Sequence, residues 1–60
     1  MITDTDYDSF YHCALDHVLK DKEESKLCLS TMVERMDKEK ISAHLKVRSI
    51  VYFLYHFVNS

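Results

Sequence analysis

The sequence contains no glycine and no proline in 60 residues. That double absence removes whole architectures. Sandwiches, barrels and phosphate-cradling loops depend on turns with positive φ, and glycine is the residue that adopts them at little cost. Cysteine is nearly absent as well. Cys13 and Cys28 are the only two, too few for the framework of a disulfide-built secreted domain. The opening MITDTDYDSF is acidic and has neither the basic flank nor the apolar core of a signal peptide. A reduced, cytoplasmic protein is the expectation. Long apolar runs are missing too. The longest, IVYFLYHFV at residues 50–58, is broken by His56 and would span roughly 14 Å as a helix, where a bilayer core needs ~20 residues. The sequence therefore predicts no membrane partner.

What is present points to helices. Apolar residues make up 47% and charged residues 30% of the chain, too apolar for a disordered tail and too charged for a membrane protein. Sixty residues make a single small domain, 1–60, and a chain of this length buries only about 60% of its unfolded surface. Chains so short usually need a staple, and a second subunit is one of the available kinds. The net charge of −2 divides unevenly: residues 1–30 carry seven acids and three bases, and residues 31–60 carry three acids and five bases. Asp4, Asp6 and Asp8 sit where a first helix begins and favour its dipole.

A capping-box pattern runs from Thr5 to Asp8 and predicts the start of that helix. Tyr7, Phe10, Tyr11, Ala14, Leu15, Val18 and Leu19 recur at steps of three and four, one amphipathic stripe. KDKEES (20–25) interrupts the stripe, and Asp21 with Glu24 repeats the cap spacing, so a second helix is expected to start there. From Leu29 a seam continues through Val33, Met36, Ala43, Val47, Ile50, Leu54 and Phe57, with Lys40 its only polar member. Val47, Ile50, Val51, Leu54, Phe57 and Val58 are expected to face one way, so IVYFLYHFV extends an existing stripe. Preserved phase across DKEK (37–40) favours one helix from 25 to 58, while compactness favours two. The fold class is all-α, a short helical hairpin or three-helix unit, expected to assemble as a dimeric helical bundle.

Tyr52, Phe53, Tyr55 and His56 fall largely off the seam. The last helix is thus apolar around much of its circumference, which calls for burial on more than one side. These four are the candidate partner interface, toward a second copy or a larger protein. HCALDH (12–17) holds the most reactive side chains. Helical spacing pairs His12 with Asp16 and Cys13 with His17, and Cys13, His17 and Cys28 are weak zinc candidates, because neither CxxC nor HExxH spacing is present. Packed cysteines and surface histidines are the plainer explanation, and no metal or other cofactor is expected. A Cys–His nucleophile pair would also need an oxyanion site and a substrate pocket, which so short a helical chain has little means to build; no enzyme activity and no small-molecule substrate are expected. Arg35, Lys38, Lys40, Lys46 and Arg48 form the one basic region, a possible nucleic-acid contact. Glu34, Asp37 and Glu39 interleave with it, so a solvated helix face with i, i+4 pairs is the plainer explanation. The expected function is a non-enzymatic protein–protein interaction module, a small regulator, inhibitor, adaptor or co-chaperone docking an apolar helical face, especially residues 47–58, onto itself or a larger protein. The alternative is a small nucleic-acid-binding regulator using the 35–48 face.

Overall fold

The computed structural model describes residues 1–59 and is built from three α-helices: α1 (Asp4–Cys13), α2 (Glu23–Lys38) and α3 (Ala43–Asn59). One turn of π-helix, Ala14–Val18, continues α1. The all-α expectation holds, in its three-helix form.

The capping box of α1 lies two residues earlier than expected. Thr3, not Thr5, is the N-cap: its hydroxyl accepts a hydrogen bond from the Asp6 backbone N–H at 3.1 Å, and the Asp6 carboxylate accepts one from the Thr3 N–H at 3.1 Å. TDTDYD offers the T-x-x-D pattern twice, and apolar neighbours decide between the two. With Thr3 at the cap, Ile2 and Tyr7 occupy the two positions of a hydrophobic staple; Tyr7 belongs to the core and Ile2 packs against it. With Thr5 at the cap those positions would be Asp4 and Ser9.

The π turn closes with a hydrogen bond from the Leu19 N–H to the Ala14 carbonyl, at 3.0 Å. Its extra residue per turn rotates the end of the helix, so Val18 leaves the stripe and is 40% exposed, while Leu19 is fully buried. The N-cap of the next helix is Lys22 rather than Asp21, and Lys22 makes no side-chain cap. The Asp21–Glu24 pattern is left unused.

Between α2 and α3 the chain breaks at the place where seam phase favours continuity. Lys40 takes a left-handed conformation, φ 57°. Its N–H donates to the Asp37 carbonyl at 3.1 Å and the Ile41 N–H donates to the Met36 carbonyl at 3.0 Å, which is the Schellman closure of a helix. In a chain without glycine this position falls to lysine, which carries the Cβ penalty of about 1–2 kcal/mol. Ser42 then caps α3, its hydroxyl accepting from the Leu45 N–H at 3.4 Å. The break is thus made by ordinary helix-end chemistry that hydrophobic periodicity does not register.

α1 and α2 both pack on α3. Tyr7, Ala14, Leu19, Leu29, Val33 and Ile50 form the buried core. Five other members of the expected seam, Met36, Ala43, Val47, Leu54 and Phe57, are half-buried against it. α3 has 17 residues, about 25 Å at 1.5 Å per residue, and so runs most of the 28 Å length of the molecule.

Candidate functional site

Each residue of an α-helix is rotated by about 100° from the last, so α3 divides into arcs. The inner arc carries Ala43, Val47, Ile50, Leu54 and Phe57 against α1 and α2. The outer arc spans roughly 140° and holds Leu45, Val51, Tyr52, Tyr55 and Val58, which are 51%, 48%, 57%, 63% and 69% exposed. Val51 and Val58, expected to face inward with Ile50, instead lie on this outer arc. Heptad counting groups them with their neighbours, but a straight helix of 3.6 residues per turn carries them past the edge of the core. Leu45 belongs to the same face and is not singled out by the sequence pattern. Its only signal is the seven-residue step to Tyr52.

The four sequence-predicted interface residues separate. Tyr52 and Tyr55 are exposed on the outer arc, whereas Phe53 is half-buried against the core. His56 is exposed; it packs edge-on to Tyr55, ring centres 5.7 Å apart, and also borders a groove with Ser25, Cys28, Phe53 and Phe57. Cys28 continues that groove onto α2, beside Leu27, Thr31, Met32 and Arg35. Polar groups on the outer arc of α3 are few. Arg48 Nη2 donates to the Tyr52 hydroxyl at 3.3 Å, which holds both side chains along the face. His44 and Asn59 are the others, and no acid occurs from residue 40 onward.

Of the five basic residues, Lys46 and Arg35 are paired with acids. Lys46 Nζ lies 2.7 Å from Asp37 Oδ1 and 4.1 Å from the centre of the Tyr7 ring, so one ammonium joins α1, α2 and α3. Arg35 reaches Glu39 at 3.6 Å along α2. Arg48 faces outward from α3, and Lys40 is taken up in the turn. Around the Lys46 node the Tyr7 hydroxyl is buried and has no hydrogen-bond partner among the described residues. Burial first, then the Asp37 carboxylate, pushes its pKa up to about 12. Burial and the same carboxylate also raise that of Tyr11.

The HCALDH cluster does not assemble. His12 sits 3.6 Å from Asp8, one turn before it, while Asp16 lies within the π turn. Cys13 and Cys28 are both free and exposed. Among the described residues no three His, Cys, Asp or Glu side chains converge as a metal-binding group, and no helix is long and apolar enough to cross a membrane. No protein-family model, curated protein or solved structure matches the chain, so the reading of function rests on these faces alone.

Proposed function

We propose that this chain is a non-enzymatic protein-interaction module, a small regulator, inhibitor or adaptor of the cytoplasm. It docks the outer face of α3, especially residues 47–58, onto itself or onto a larger protein. The observation that carries this reading is the concentration of exposed apolar side chains: of the eight large ones, Leu45, Val51, Tyr52, Tyr55 and Val58 lie on one arc of one helix. Exposed apolar side chains scattered singly are ordinary; a contiguous patch of them marks an interaction surface. Tyrosine suits such a surface, since its ring is apolar and its hydroxyl tolerates water. The alternative, nucleic-acid binding through the 35–48 face, draws on the acid-free stretch after residue 39. It has less support, because Lys46 and Arg35 are engaged by Asp37 and Glu39.

The reading is tested by placing a photo-crosslinking phenylalanine analogue at position 55 and, as a control, at Glu23 on the exposed start of α2. The expected result is a protein adduct from position 55 that is lost when Val58→Lys is added. Equal adducts at both positions, or none at position 55, would refute the docking face.

A further inference from the structure

We infer that the outer face of α3 is covered by a second copy of this chain, two α3 helices packing antiparallel about a two-fold axis between Val51 and Tyr52. This names the partner for the docking face proposed above and rests on that reading.

Area is the first argument. A folded monomer of 7.1 kDa is expected to expose about 4,100 Å², and this one exposes 4642 Å², roughly 500 Å² more than that scaling. Met1, fully exposed at the N-terminus, accounts for part of the surplus, and the α3 outer arc holds five of the other seven large apolar side chains left in water. With Met1, Val18 and Leu27 taking part of each surplus, two α3 arcs supply less than about 1,000 Å² together, the small end of protein–protein interfaces. A small, reversible dimer is what that area supports.

The second argument is the order of residues along the face. A two-fold interface places each residue opposite its mirror in sequence about the axis. About the midpoint of 51 and 52, Val51 meets Tyr52, Arg48 meets Tyr55, and Leu45 meets Val58. These three pairs are apolar with apolar except Arg48 with Tyr55, where a guanidinium lies against an aromatic ring, a favourable cation–π pairing; at the ends of the arc His44 meets Asn59, two polar side chains that can pair with each other. Charge does not oppose the arrangement. Arg48 is the one formally charged residue of the arc, and the two copies of it stand seven residues apart along the axis, about 10 Å, close to the screening length at 0.1 M salt. Lys46, the other cation of α3, is neutralised by Asp37 at 2.7 Å. The arc offers no acid and a single arginine, so it has little charge with which to select a charged partner.

The experiment is sedimentation equilibrium of the purified full chain from about 1 µM to 500 µM, with native mass spectrometry at the low end. A reversible monomer–dimer equilibrium is expected, its dissociation constant in the micromolar to hundred-micromolar range typical of small interfaces. Val51→Glu and Leu45→Lys should each weaken it at least about tenfold while helicity by circular dichroism stays unchanged. Orientation is read by mixing Leu45→Lys with Val58→Glu. The antiparallel pairing puts lysine against glutamate at one site and leaves Val58 with Leu45 at the other, so the mixture should dimerise more tightly than either variant alone. A chain monomeric throughout the range would overturn the inference. The docking reading would then stand or fall on whether position 55 crosslinks to a different protein. A dimer indifferent to Val51→Glu, or a mixture with no rescue, would overturn the proposed geometry. Should Val51→Glu lose helicity, the more exposed Val58→Lys replaces it, with the same expected loss of dimer.

Discussion

The inner and outer arcs of α3 are alike in composition and opposite in fate. Ala43, Val47, Ile50, Leu54 and Phe57 on one side, and Leu45, Val51, Tyr52, Tyr55 and Val58 on the other, are all apolar or aromatic. Yet Ile50 is fully buried and Val51, one residue on, is 48% exposed. A rotation of 100° separates them. Two helices can cover only part of a third, so one apolar arc makes the fold and the other is left in water. Hydropathy is therefore a poor guide to which residues matter for stability in a chain this small; position relative to α1 and α2 decides it.

Substitutions that should leave the two arcs indistinguishable if this division were wrong give the largest effects. Ile50→Ala should destabilise the monomer by about 2–5 kcal/mol, a large share of the stability of a 60-residue domain, read as a fall in the urea midpoint. Removing the Thr3 hydroxyl, Thr3→Ala, should cost about 1 kcal/mol, the usual loss for an N-cap, and would show that the Ile2–Tyr7 end of α1 holds the inner arc in place. Lys40→Gly should stabilise by about 0.5–1 kcal/mol, because glycine adopts φ 57° without the Cβ penalty. It sharpens the comparison, since this turn sets which arc of α3 faces inward. Val58→Lys on the outer arc should change monomer stability by less than about 0.5 kcal/mol, measured below the dimerisation range, while abolishing association.

Tyr7 gives a test by pH. Its pKa is raised in the folded state to about 12 from the ordinary 10.0, so the fold favours the neutral phenol. That contribution is fully present below pH 10 and is lost as pH rises from about 10 to 12. Stability should therefore decline across that window more steeply in the parent than in Tyr7→Phe. The same substitution removes a buried hydroxyl that has no partner among the described residues and should leave stability at neutral pH unchanged or improved.

Much of this is legible in the sequence, and the failures have physical causes. Absence of glycine and proline, together with three- and four-residue spacing, is enough for an all-α reading. Leu29, Val33 and Ile50 fall on the seam and are buried. The helix ends are less legible. Thr5 competes with Thr3 as a cap on pattern alone, and only the apolar partners Ile2 and Tyr7 separate them. Asp21 matches a cap signal, yet Lys22 takes the N-cap position without a side-chain cap. The break at 39–42 carries no residue usually associated with a left-handed turn, because lysine occupies the place of glycine. For the candidate surface, Tyr52 and Tyr55 are legible from their place off the seam. Leu45, Val51 and Val58 are not, since the division of α3 into arcs depends on where the other two helices lie.

The measurement that tests the central claim most directly is an isotope-filtered NOE experiment on a sample mixed from labelled and unlabelled chains at several hundred micromolar. Two antiparallel α3 helices predict intermolecular contacts between Val51 and Tyr52 and between Leu45 and Val58, with none from Ile50. Intermolecular contacts from Ile50 or from the Leu27–Met32 face of α2 in their place, or none at all, would contradict the division of α3 into a folding arc and an associating arc.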